Sequence, residues 1–376
     1  MRIAALIIGI IVATVTFLAL CQAMLVPRRS TSVLVQGINR GVAVVSTWPL
    51  RFMKRYETQD RWLSGAAPIS VLLQLVVYVV ILILALGLVV YGTTTLSLND
   101  SLYQSGSTLT TLGIVEPVDE ASTITTFVAA FLGLVVIAIF IGYLMAIYGA
   151  YVDREAGMAR AAMLAGEPAW GPIMLARGRI LGLPDSEVPD SDMWLEWLCS
   201  TRMSQQVNPV LMEFRSTSAG RHWVTTLLAV LDAGALRISL GDGTPDPHTV
   251  QLLTEGSLTL ATLTAPVRVD PHEVATHNWD LERMIVAAVR NPPPESPPEC
   301  GLTSDDFEQA MDILRDAGVP VPDDVAGAFR RFAAVRAVYY SDAAAIAKRL
   351  HAVPAPWSGE RTPSLPVRYP EIPTEN

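Results

Sequence analysis

Three stretches of this 376-residue chain, Ile3 to Val26, Ile69 to Val90 and Phe127 to Tyr148, contain no charged side chain. Each reaches the roughly 20 residues a helix needs to cross the hydrocarbon core of a bilayer. Lipid offers no partner to backbone N–H and C=O groups, so runs of this kind are expected as helices. Between the second and third runs lies a polar insert, SLNDSLYQSGSTLTTLGIVEP, from Ser97 to Pro117. Irregular backbone at membrane depth is tolerated only where protein buries it or where it lines a water-filled cavity. The insert is therefore the stretch around which the rest of the chain is organised.

Ser97 followed by Asp100 has the form of a capping box, and Leu98, Leu102, Tyr103, Ser105 and Leu109 can follow as a short helix that stops after Thr110. Thr110, Thr111, Leu112, Gly113 and Ile114 then form a short extended run containing a glycine. The stretch Thr108 to Glu116, TLTTLGIVE, resembles the selectivity filter of tetrameric potassium channels, whose pattern is T-x-T-T-V-G-Y-G-D. Thr110 and Thr111 keep the two threonines, Leu112 stands for the valine and Gly113 is the first glycine. Ile114 replaces the tyrosine, Val115 the second glycine and Glu116 the aspartate. The resemblance covers residues 68–151 and stops before the C-terminal half. It implies a re-entrant pore loop between an outer and an inner helix, an ion site at Thr110, Thr111, Leu112, Gly113, Ile114 and Glu116, and four copies around one axis. It also implies K⁺, and with the altered outer half Na⁺ as well, as permeating ions. Because glycine alone reaches positive φ without steric cost, Val115 is expected to interrupt the regular carbonyl ladder in the outer half. Gly133 and Gly142 in the inner helix are candidate gating hinges or points of close helix packing.

The fold class expected is mainly α: three transmembrane helices, a re-entrant loop between the second and third, and a helical C-terminal domain on the cytoplasmic side. Its hydrophobic fraction of 51% and mean hydropathy of +0.37 indicate a membrane protein with a soluble part. Arg28, Arg29, Arg40, Arg51, Lys54, Arg55 and Arg61 all precede the second run, whereas Asp100, Glu116, Asp119 and Glu120 are the only charges between the second and third. The positive-inside rule then places the connector in the cytoplasm and the insert outside, in a multi-pass protein of the cell membrane. The first run exceeds a signal-peptide core of about 7–15 residues and is expected to stay as a span with its N-terminus outside. In the connector, Val33, Val35, Ile38, Val42, Val45, Trp48, Phe52 and Met53 share one side of a helical pattern with arginines interspersed. That fits either an amphipathic helix on the inner leaflet, where anionic lipid is the partner, or a helix packed on the cytoplasmic domain.

The expected boundaries are a first helix at 1–26, the connector at 27–67, and a pore module at 68–151. Within that module the outer helix takes 68–92, the insert 97–117 and the inner helix 122–151. A helical domain at 152–290, a Pro-rich linker at 291–300, C-terminal helices at 301–352 and a disordered Pro-rich tail at 353–376 complete the chain. Met158–Gly166 is expected as a separate helix of the cytoplasmic domain, and Asp323–His351 as one continuous helix.

The net charge of −9 falls on the second half and argues against nucleic acid as a partner. Cys21, Cys199 and Cys300 have no metal-ligand or disulfide spacing, and His272 to His277 has one residue too many for a zinc-binding H-E-x-x-H motif. With neither a dinucleotide fingerprint nor a P-loop nor a nucleophile elbow, no enzymatic activity, cofactor or resident metal is expected. Arginine outnumbers lysine, present only as Lys54 and Lys348, a bias common in GC-rich bacterial genomes. The loss of the second glycine also fits a rival from another class, a non-conducting membrane scaffold or sensor acting through its cytoplasmic domain. A membrane-tethered enzyme is the remaining rival, with residues 190–280 as the place for its polar centre.

Overall fold

The computed structural model describes residues 1–25, 33–184, 188–241, 244–264, 271–293 and 300–359. The described chain is mainly helical, with no strand among the described residues. It divides into two units, one made of Met1–Pro49 with Gly65–Gly149 and the other of Leu50–Ser64 with Ala150–Asn376. Among the described residues, four helical stretches are long and apolar enough to cross a membrane: Arg2–Met24, Tyr56–Thr93, Glu120–Ala165 and Trp223–Leu240. The last has 89% of its apolar window buried inside the protein, whereas the other three have 22%, 39% and 28%. Its hydropathy is thus accounted for by a packed core, and theirs is left facing outward.

In the first unit, α1 (Arg2–Met24) lies antiparallel against α4 (Ala66–Thr93). The helices approach so closely that a Cβ on Gly9 would stand 2.6 Å from the Ala85 carbonyl oxygen, and one on Gly92 would stand 2.6 Å from Leu6 Cβ. Small residues at the contact are how helices associate where lipid supplies no hydrophobic drive. Arg2 donates to the carbonyls of Tyr91, Thr95 and Leu96, at and just past the C-terminal end of α4, where a cation suits the helix dipole. Leu20, Tyr78, Leu82, Ala85, Leu86 and Val136 form the core of this unit. Helix α2 (Val33–Thr47) packs on α4, and Gln74, the strongly polar residue of the second apolar run, donates to Asn39 of α2 at 2.9 Å. Outward-facing apolar side chains such as Ile7, Leu72, Phe127, Phe131 and Met145 are more than half exposed, as lipid-facing or subunit-facing residues are.

The second unit holds α3 (Tyr56–Leu63), α7 (Gly171–Ile180), α8 (Ser191–Val207), α9 (Trp223–Leu240), α10 (Pro247–Thr264), α11 (Pro271–Arg290), α12 (Ser304–Asp316), α13 (Val325–Arg336) and α14 (Tyr340–Arg349). Its core joins residues from both sides of the Pro-rich stretch, with Leu231, Leu253, Phe307, Phe332 and Ile346 in one cluster. Residues 300–359 are therefore built into the same body as 150–293, and linker residues 294–299 lie outside the described set. So do the side chains of His272 and His277, and residues 360–376 of the tail.

Three sequence expectations need correction. The inner helix does not stop at residue 151: α6 runs Glu120–Ala165 and absorbs the segment expected as a separate helix, since no proline interrupts it before Gly166. The Asp323–His351 helix is two, α13 and α14, separated at 337–339 by tight turns, Val338 N–H to the Val335 carbonyl and Tyr339 N–H to that of Arg336. That break aims the Tyr339 hydroxyl at Asp232 (2.9 Å) and places the Tyr340 ring 4.4 Å from the Arg336 guanidinium. The tail, too, is ordered in its first residues: Val353, Ala355, Trp357 and Ser358 are buried, with Trp357 packed edge-on to Trp170 and against Phe332. Proline content predicted an extended chain there, but one tryptophan buries enough apolar surface to anchor it.

Candidate functional site

Helix α5 (Leu98–Leu109) begins as the capping pattern predicts, with the Ser97 side chain accepting from the Asp100 amide. Contacts to both α4 and α6 hold it. The Ser105 hydroxyl donates to the Ile83 carbonyl of α4 at 2.9 Å, and Gln104 Nε2 donates to the Thr126 hydroxyl of α6 at 3.0 Å. Gly133 of α6 meets the last residue of α5, where a Cβ would stand 2.3 Å from the Leu109 carbonyl oxygen. The short helix is thus pinned between the two long apolar ones, and its C-terminal end is fixed most tightly.

That end closes in a Schellman motif. Leu112 N–H bonds the Ser107 carbonyl at 2.8 Å and Thr111 N–H that of Thr108 at 3.0 Å, with Thr111 in the left-handed region at φ 61°. Glycine ordinarily takes this position; a β-branched residue there costs about 1–2 kcal/mol. Gly113 follows at φ 64°, and its amide also bonds the Ser107 carbonyl, at 3.1 Å. The Ile114 amide then bonds the Ser107 hydroxyl at 2.9 Å. Three consecutive amides converge on a single residue.

Their peptide bonds are trans, so each carbonyl points opposite to the N–H of the same peptide plane. The carbonyls of Thr111, Leu112 and Gly113 are in consequence aimed away from α5, in a row. Thr110 through Ile114 are all exposed, as is Glu116. Alternating left- and right-handed residues produce such one-sided arrays of amides and carbonyls. The alternation ends at Gly113: Val115 is not among the residues with positive φ. The C-terminal end of α5 adds partial negative charge at the base of the row.

Asp119 and Glu120, the other acids of this region, sit at the N-terminus of α6. Asp119 accepts from the Ser122 amide at 2.7 Å, which is helix capping. Of the two glycines flagged in α6, Gly133 is a packing position, whereas nothing lies within 4 Å of a Cβ on Gly142. Ser107, which organises the row, was not singled out by sequence; nothing in its spacing separates it from Ser101 or Ser105. Comparison of the chain with family models, with curated proteins and with solved structures gives no match.

Proposed function

We propose that this chain is the pore-forming subunit of a homotetrameric channel for monovalent cations, K⁺ foremost. The observation that supports the reading is the row of Thr111, Leu112 and Gly113 carbonyls, aimed away from a helix held between two apolar helices and exposed in the single chain. One such row cannot surround an ion, and four around an axis replace its hydration shell. The Thr111 hydroxyl would add a further ring of oxygens. Glu116 would form an outer ring of carboxylates that concentrates cations by its field. With three carbonyl positions in place of a longer ladder, discrimination of K⁺ from Na⁺ should be weaker than in a filter with both glycines. Anionic lipid at the basic connector would complete the set of partners.

The end of the alternation at Val115 favours a second reading, a non-conducting scaffold or sensor that keeps the loop and works through its helical unit. Purified protein reconstituted in liposomes and assayed for K⁺ and Na⁺ flux separates the two. Cation flux that disappears with Gly113→Pro supports the channel. A tetramer that passes neither ion supports the scaffold, and a clean dimer removes the four-fold site altogether.

A further inference from the structure

We infer that the Ser107 hydroxyl is a positioning group for the third carbonyl of the row, that of Gly113. The inference rests on the channel reading for its effect on selectivity, though not for the anchor itself. Thr111 at φ 61° and Gly113 at φ 64° orient the row by backbone conformation. The Gly113–Ile114 peptide has a tie of its own. Besides the backbone conformation of Gly113, its tilt is held by the 2.9 Å bond from Ile114 N–H to Ser107 Oγ, the one side-chain oxygen among the described residues that receives an amide of the row. Ser107 is 5% exposed, so water competes poorly for that bond.

The hydroxyl can be separated from the rest of the site. The Ser107 carbonyl, which holds the Leu112 and Gly113 amides, survives any substitution, so Ser107→Ala removes the third bond and leaves the helix cap in place. Alanine is also the better helix former, which argues against misfolding as the cause of any change. Ser107→Thr keeps a hydroxyl at the same atom.

The test uses the full chain in two preparations. In liposomes, K⁺/Na⁺ selectivity is measured for wild type, Ser107→Ala and Ser107→Thr. In lipid nanodiscs, amide hydrogen exchange is followed in peptides covering residues 110–118. Ser107→Ala is expected to lower selectivity about tenfold, the change that one net hydrogen bond supports. Ser107→Thr should stay within about twofold of wild type on the same scale. Exchange at 112–116 should be faster in Ser107→Ala and unchanged in Ser107→Thr. If exchange in Ser107→Ala equals wild type, the hydroxyl is no anchor and the inference falls. If exchange responds while the wild type passes no ion at all, the channel reading falls and the role in selectivity falls with it, while the anchor stands.

Discussion

Replacing Gly133 by alanine sets two effects of known size against each other. Alanine inside a helix is favoured over glycine by about 1 kcal/mol. Against this, the new Cβ would stand 2.3 Å from the Leu109 carbonyl oxygen, 3.1 Å from its carbon and 3.3 Å from its Cα. To reach an ordinary contact of about 3.4 Å, the two helices must separate by 3.4 − 2.3, or about 1.1 Å. The obstructing atoms are backbone, so no rotamer change relieves them, and overpacking of this kind costs about 1–3 kcal/mol. The steric effect therefore wins, by up to about 2 kcal/mol per chain. Leu109 is the last residue of α5, and the carbonyl row begins two residues later. A shift of that size at the end of the helix displaces the start of the row. Gly142→Ala meets nothing within 4 Å and should keep the propensity gain. The pair is compared by thermal melting of the detergent-solubilised protein and by cation flux in liposomes. Gly133→Ala is expected to melt earlier and to lose flux or selectivity, with Gly142→Ala close to wild type. The reverse pattern, flux abolished by Gly142→Ala and untouched by Gly133→Ala, would mean that Gly142 is a hinge and that the packing argument is wrong.

In the helical unit, Asp232→Ala should destabilise by about 3–5 kcal/mol, because it strands the fully buried Arg336, whose Nε lies 2.9 Å from Asp232 and which also donates to the carbonyls of Cys300 and Trp357. Tryptophan fluorescence during thermal unfolding reads this, through Trp170 and Trp357, and a loss under about 1 kcal/mol would show that water or rearrangement satisfies the arginine. Asp246 stands before α10 and accepts from the Thr249 amide and hydroxyl at 3.0 and 2.7 Å, while Arg237 lies 3.2 Å away. Burial opposes ionisation, but these hydrogen bonds and the guanidinium hold its carboxyl below the usual range. Its contribution is therefore present above the ordinary carboxylate value of about 3.9 and is lost as pH falls through the lowered value. Asp246→Asn should flatten that acid limb of the stability profile, and an unchanged limb would rule the group out.

The helices of both units were legible where apolar periodicity and caps agreed. Ser97 and Asp100 start α5, and Thr303 caps α12 with Asp306 in a reciprocal pair. What escaped the sequence depended on contacts between distant residues. Polar residues after Tyr148 suggested an end to the third span, yet Asp153, Arg154 and Glu155 are compatible with helix, and α6 continues through them. Nothing local marks the break at 337–339, and the partner of the Tyr339 hydroxyl that it presents, Asp232, lies about a hundred residues earlier. At the site, threonine and glycine were visible as an unusual pair, but the convergence on Ser107 was not. A serine that accepts backbone amides has no signature of its own until the turn that brings them there is known.

The connector illustrates the same limit, since its two parts go to different units. Helix α2 belongs with the apolar unit, tied to α4 by the Gln74–Asn39 bond. Residues 50–64 belong with the helical unit. There Arg215 donates to Asp60 at 3.3 Å, to the Tyr56 hydroxyl at 3.3 Å and to the carbonyls of Leu350 and His351 at 2.5 and 2.9 Å. The division falls at Pro49, which lacks a backbone N–H and restricts the residue before it, so α2 cannot run on as a regular helix. Arg55 is extended, with φ −113° and ψ 135°, and α3 starts anew at Tyr56. Asp60 is 7% exposed and Arg215 8%, a pairing that burial makes expensive to break from one side. Only Ser64 and Gly65 then separate α3 from α4. The chain is gripped by the helical unit until two residues before the helix that leads to the carbonyl row, and an unpaired Arg215 or Asp60 would release that grip.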